Sequence, residues 1–84
     1  MSETWILGIR ISDHHREAPE VQDILTKFGC SIKTRLGLHE TDGESCSTGG
    51  LILLELTGNR EEFIKLENEL LKKEGVEVRK MVFD

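Results

Sequence analysis

The chain has 84 residues, of which 37% are hydrophobic and 32% are charged, and it carries a formal net charge of −5 at pH 7. This balance is typical of a globular domain rather than a disordered chain, and the negative charge argues against nucleic-acid binding over the whole surface. No apolar run approaches the roughly 20 residues of a membrane-spanning helix. We therefore expect one domain, residues 1–84, with neither a membrane nor a nucleic acid as its partner.

The amino-terminal segment and the two cysteines indicate a cytoplasmic protein. Residues 1–4 lack the basic start and the apolar stretch of a secretory signal peptide. Since disulfides are rare in the reducing cytoplasm, we expect Cys30 and Cys46 to be free thiols.

A first strand–helix–strand unit begins near the single tryptophan. Residues 5–11 are apolar on both faces, which is typical of a central strand. Residues 12–17 form a polar connection, and Pro19 predicts the first turn of a helix, where its missing N–H costs nothing. Gly29 predicts the residue that stops this helix. The apolar face of the helix follows the spacing i, i+3, i+4 and i+7 and consists of Val21, Ile24, Leu25 and Phe28.

Residues 30–39 predict a second strand with one apolar and one polar face. The apolar face would include Ile32, Leu36 and Leu38, and the polar face would include Lys33 and Arg35. Residues 40–50 are polar and contain the turn signals Asp42-Gly43 and Gly49-Gly50, which together predict a long loop.

A second strand–helix–strand unit follows this loop. Residues 51–57 are apolar on both faces apart from Glu55, and they predict a central strand that runs parallel to the first. Asn59 and Glu62 have the spacing of a capping box at the start of a second helix. Gly75 predicts the end of that helix, and residues 76–83 predict the last strand. The apolar stripe of the second helix consists of Phe63, Leu66 and Leu70.

Two such units in tandem predict an α+β fold of the ferredoxin-like βαββαβ type. In this fold a four-stranded antiparallel sheet carries both helices on one face, and the first and third strands lie in the centre. Because covering each large aliphatic side chain stabilises a protein by roughly 1.5–3 kcal/mol, we expect the uncovered face or a sheet edge to form a homo-oligomer. The uncovered face would carry Ile6, Gly8, Arg10, Lys33, Arg35 and Glu55.

The segment around the predicted loop holds most of the residues that could bind a small ligand. The Arg35 guanidinium could hold a carboxylate or a phosphate bidentately, and Arg10 is a second candidate of this kind. The turn Gly49-Gly50 could offer backbone N–H groups to an anion. We predict a ligand site at a subunit interface that consists of Arg35, Gly37, His39, Gly49 and Gly50.

A metal-binding module is the alternative prediction. His39 and Cys46 flank the loop, and imidazole and thiolate groups suit zinc, nickel or iron. Two ligands do not complete a site, so a second subunit or His14 and His15 would have to contribute. No Ser/His/Asp order, CxxC or HExxH motif occurs, so we expect no catalysis, and no cofactor is indicated.

Four stretches of the chain resemble a known family. They are residues 6–11 (ILGIRI), 21–29 (VQDILTKFG), 33–38 (KTRLGL) and 74–80 (EGVEVRK). Together they are similar to the small ACT-like proteins described as regulators of iron-only hydrogenase systems. The resemblance implies a βαββαβ fold, assembly into dimers or tetramers, and a regulatory role. The function we expect is therefore a ligand-sensing regulatory homo-oligomer that acts through a partner protein, with the metal-binding module and a ligand-free adaptor subunit as alternatives.

Overall fold

The computed structural model describes residues 3–12, 14–41 and 46–84, and it describes only the backbone of residues 14–18, 38–41 and 46–49. The strands form one sheet in the order β2-β3-β1-β4, and every neighbouring pair is antiparallel. This confirms the predicted α+β, ferredoxin-like βαββαβ fold. None of the described helices is long and apolar enough to cross a membrane. In chain order the elements are β1 (Thr4–Ile11), α1 (His14–Lys27), a 3-10 turn (Gly29–Ser31), β2 (Ile32–Thr41), β3 (Cys46–Leu56), α2 (Arg60–Leu71) and β4 (Val76–Phe83).

The central position of β1 and β3 is confirmed, but the prediction that they are parallel is wrong, because the pair is antiparallel. The crossover through α1 brings β2 back in the direction of β1. The hairpin connection then reverses the chain, so β3 runs opposite to both of its neighbours.

One hydrophobic core lies between the sheet and the two helices. The predicted stripe residues of both helices are buried, and every second residue of β1 from Trp5 and of β3 from Gly50 is buried with them. The spacing of apolar residues, with a period of 3.6 residues in the helices and 2 residues in the strands, therefore predicts the core correctly. The strand residues are Trp5, Leu7, Ile9 and Ile11 from β1 and Ile52, Leu54 and Leu56 from β3.

The first helix starts earlier than its sequence predicts. It begins at His14, so Pro19 lies inside the helix and the prediction that it marks the first turn is wrong. A proline at this position removes one backbone hydrogen bond from the helix. The apolar stripe starts only at Val21, so the preceding turns leave no periodic signal in the sequence.

The chain does not reverse its backbone conformation at the end of α1. The helix ends at Lys27, so the prediction that it stops at Gly29 is confirmed in position, although of the described residues only Gly58 and Gly75 have a positive φ. The chain continues into the 3-10 turn, which includes Cys30, so the predicted strand start at this residue is wrong. Cys30 is exposed and is a free thiol, as predicted.

The predicted loop at residues 40–50 is mostly strand. β2 continues to Thr41, β3 begins at Cys46, and these two residues are paired. Gly49-Gly50 lies inside β3, so the turn prediction at this position is wrong, and Asp42-Gly43 lies outside the described residues. Backbone groups form the ladder whatever the polarity of the side chains, and a polar stretch can therefore extend a hairpin.

The start of α2 is as predicted. The side-chain oxygen of Asn59 accepts a hydrogen bond of 3.0 Å from the backbone N–H of Glu62. We expect Asn59→Ala to lower the free energy of unfolding by about 1 kcal/mol, because this N–H loses its side-chain acceptor and keeps only the Asn59 carbonyl oxygen, 3.1 Å away. Asn68 is exposed within the same helix, and Asn68→Ala should leave stability unchanged or raise it by a few tenths of a kcal/mol. Urea unfolding of both variants tests this, and equal losses would contradict the capping role.

Candidate functional site

A register shift near the start of β2 inserts one extra residue into this strand. Ile32 pairs with Leu56 of β3, but Thr34 pairs with the adjacent Glu55. Two steps along β2 therefore oppose one step along β3, and Lys33 is the inserted residue. Because side chains alternate between the faces of a strand, everything after the insertion changes face.

The shift reverses the predicted faces of β2 beyond Ile32. Arg35 pairs with the buried Leu54, which places Arg35 on the side of the helices, and the prediction that it lies on the uncovered face is wrong. Leu36 pairs with Leu53 on the uncovered face and is 50% exposed, although its sequence pattern predicted the same face as Ile32. Since the sequence alternates regularly through this stretch, no signal in it reveals the inserted residue.

We call the side of the sheet opposite to the helices the open face. It is more apolar than predicted, because the exposed Leu36 and Met81 join the half-buried Ile6 and Leu53. Its described residues are Thr4, Ile6, Gly8, Arg10, Thr34, Leu36, Leu51, Leu53, Glu55, Glu77, Arg79, Met81 and Phe83.

A depression of about 140 Å³ lies near the middle of the open face, at Gly8. Its lining includes Ile6, Leu53 and Met81. A Cβ atom built on Gly8 would lie 3.7 Å from Leu53 Cδ2 and 3.9 Å from the Arg79 carbonyl oxygen, which is ordinary van der Waals contact. An alanine therefore fits at this position, and the packing of a single chain does not require the depression.

A second surface lies on the helix side of the edge strand β2. The guanidinium Nη2 of Arg35 donates a hydrogen bond to the Gln22 side-chain oxygen on α1. Two residues further along β2, a Cβ atom built on Gly37 would meet nothing within 4 Å. We call these two residues the Arg35–Gly37 patch. In it, the guanidinium that Gln22 orients lies near the backbone of Gly37, where a Cβ atom would have open space.

The predicted ligand-site residues all lie on the β2–β3 hairpin. Arg35, Gly37 and His39 alternate along an unbroken part of the ladder, and His39 pairs with Gly50. Gly50 is buried and is also paired with Ile11 of β1, so the expected free turn that would present its N–H to an anion does not exist. The ligand role of the five residues stays a prediction.

A larger groove of about 550 Å³ lies on the helix layer and carries lysines from both helices. The Lys27 Nζ lies 2.8 Å from Glu69 Oε2, and the Lys65 Nζ lies 3.8 Å from Glu62 Oε1. Most of the positive charge in this groove is thus already balanced, and it resembles an ordinary solvated helix surface more than an anion site.

The metal-binding alternative has no support among the described side chains, where no group of three or more His, Cys, Asp or Glu could hold a metal ion. The hairpin places the backbones of His39 and Cys46 on adjacent strands. Their side chains lie outside the described part of the structure, as do those of His14 and His15, so the metal site stays a prediction.

Comparison with known proteins places the chain by its fold. No protein-family model and no curated protein sequence matches it. The structure is similar to the uncharacterized protein TM1266 from Thermotoga maritima, with a TM-score of 0.83 and 23% identity over 99% of this chain and 100% of that one. It is also similar to the ACT domain of a GTP pyrophosphokinase from Chlorobium tepidum, with a TM-score of 0.67 and 18% identity over 96% of this chain and 89% of that one.

A third similar structure belongs to the PII-like class. It is CPII from Thiomonas intermedia, a nitrogen regulatory PII-like protein, with a TM-score of 0.57 and 15% identity over 99% of this chain and 94% of that one. At such identities the likeness defines the fold, which is the ACT-like form of the ferredoxin-like fold. The resemblance to regulators of iron-only hydrogenase systems is untested by these matches and stays a prediction.

The open space at Gly37 leads to a stability prediction. Gly37 has no positive φ, so Gly37→Ala should leave the free energy of unfolding unchanged or raise it by up to about 1 kcal/mol. Gly58 has a φ of +113°, and Gly58→Ala should lower the free energy of unfolding by about 1 kcal/mol or more. Urea unfolding compares the two variants. A loss of more than about 1 kcal/mol in Gly37→Ala would show that this backbone is not open.

Proposed function

We propose that this protein is a regulatory homo-oligomer that senses a small anionic ligand and acts through a partner protein. The observation that carries the proposal is the Arg35–Gly37 patch, where Gln22 orients the guanidinium and a Cβ atom built on Gly37 would meet nothing within 4 Å. The ligand class is a small carboxylate or phosphate, because the planar guanidinium binds these groups bidentately.

The position of Arg35 supports a binding role better than a structural one. Its partner Gln22 is a neutral amide, so the cation is oriented without being neutralised by that contact. By contrast, Arg60 lies 3.2 Å from a Glu3 oxygen in an ion pair. An oriented cation that keeps its charge is suited to receiving an anion.

The neighbours in fold guide the choice of ligands. CPII is described as bound to ADP, AMP and bicarbonate, all of which are anions. The similar ACT domain is part of a GTP pyrophosphokinase, which is a further nucleotide-related protein. Both likenesses support a sensing role, and the resemblance of the sequence to hydrogenase-system regulators agrees with it.

The two faces of β2 suggest how binding would change the assembly. Arg35 points to the helix side, and the adjacent Leu36 lies on the open face. A ligand that alters the path of this edge strand would move Leu36, and so change the surface offered to another subunit. Regulation requires that the ligand bind two such states with different affinity. We assign the output to a partner protein because the net charge of −5 disfavours nucleic acid.

Thermal unfolding with a panel of ligands tests the proposal. We expect ADP, AMP, bicarbonate or one of the common amino acids to raise the melting temperature. At a ligand concentration of 100 Kd the gain is about 2.7 kcal/mol, which is on the order of 10–20 °C for a small domain. A flat melting temperature across the panel would contradict ligand sensing.

Substitution at the patch locates the site. Arg35→Gln removes the guanidinium, and we expect it to reduce the affinity for the ligand found in the panel at least tenfold. Gly37→Val should do the same by covering the backbone, whereas the control Arg60→Gln should bind as the wild type does. Calorimetric titration measures the three affinities. Equal affinity of Arg35→Gln and the wild type for the ligand would show that the ligand does not bind at this patch.

A further inference from the structure

The open face is suited to a second copy of this chain. We propose that two copies pack open face against open face about a twofold axis that runs parallel to the strands, between β1 and β3. The inference rests on the self-association in the proposed function, and it adds the surface and the residues that form the interface.

The register shift creates an apolar surface on the open face. Leu36, Leu53 and Gly8 lie side by side in one row across β2, β3 and β1, and Arg79 of β4 completes the row. Leu36 is 50% exposed and Met81 is 54% exposed, on opposite edge strands of the same face. Large apolar side chains distributed over a whole sheet face are typical of a surface that another protein covers.

The open face also presents charges of both signs. Among the described side chains, the open face carries two arginines, Arg10 and Arg79, and two glutamates, Glu55 and Glu77, although the chain as a whole has a net charge of −5. Nucleic acids and anionic lipids would require one sign, whereas a second copy requires both. A balanced face also allows two acidic chains to meet where their repulsion is smallest.

Residues of the two copies that face each other across the proposed axis are compatible. The axis places β2 of one copy over β4 of the other, and β3 of one copy over β1 of the other. Leu53 of each copy therefore lies over the Gly8 depression of the other. Within the same row Leu36 lies over Arg79, whose long aliphatic stem can cover it. In the next row Glu55 meets Ile6 rather than another carboxylate. No like charges are opposed in these two rows.

The size of the face predicts a weak dimer. Four strands span about 19 Å and seven residues span about 23 Å, so two copies together would bury on the order of 900 Å². This lies near the lower limit of about 1,000 Å² for a specific interface. We therefore expect an equilibrium between chains of 9.5 kDa and dimers of twice that mass over the micromolar range.

Light scattering on a sizing column, with the full chain loaded from about 1 to 500 μM, tests the interface. We expect the wild type to approach the dimer mass at the highest concentration. Leu36→Lys places an ammonium group against the guanidinium of Arg79 in the other copy and should raise the dimer dissociation constant at least tenfold. Leu71 has a similar exposure, 54%, but lies on α2, so Leu71→Lys should dimerise as the wild type does.

Two further measurements keep the result decisive. Circular dichroism checks that each variant folds, and Met81→Glu on the opposite edge strand replaces Leu36→Lys if that variant does not. A wild type that stays at 9.5 kDa at 500 μM overturns both this interface and the homo-oligomer of the proposed function. A dimer that survives both open-face variants overturns this interface alone. Ligand binding at the Arg35–Gly37 patch is measured separately, so it can succeed or fail independently.

Discussion

The one-residue insertion at Lys33 determines what each side of the edge strand β2 presents. Without it, Leu36 would face the helices and Arg35 would lie on the open face. With it, Arg35 contacts Gln22 on α1, and Leu36 joins Leu53 on the side away from the core. Because strand side chains alternate, a single insertion exchanges the two faces over the rest of the unbroken ladder. The candidate ligand patch and the candidate interface both result from this local irregularity.

Arg35 and Leu36 are adjacent residues of the edge strand β2, and they connect these two surfaces. β2 has a neighbour on one side only, so its path is less constrained than that of β1, which is paired on both sides. A ligand held at Arg35 would therefore act directly on the strand that carries Leu36. Since such an interface is small and its dimer weak, a change of 1–2 kcal/mol in its free energy would shift the dimer dissociation constant about five- to thirtyfold. This is the scale on which small ligands regulate assembly.

The sequence predicts the core better than it predicts the surfaces. Val21, Ile24, Phe63 and Leu66 are buried as expected, because repeated apolar spacing reflects burial directly. The inserted Lys33 leaves no such trace, since an alternating pattern reads the same on either side of an insertion. For the candidate site, the sequence indicates Arg35 and Gly37 as binding residues but predicts the wrong face of the sheet for Arg35. It does not indicate the extended hairpin for a related reason, because backbone pairing can continue through polar and glycine-rich segments.

The contact between Leu36 and Arg79 tests the account most directly. Within one chain these residues lie on opposite edge strands, separated by about 14 Å across the sheet, so their protons are too far apart for a nuclear Overhauser effect. In the proposed dimer Leu36 of one copy lies over Arg79 of the other. Isotope-filtered NMR spectra of a mixed labelled and unlabelled sample at high concentration should therefore show a cross-peak between them. Intermolecular cross-peaks confined to the edges or the helices, with none from Leu36 or Leu53, would contradict the account.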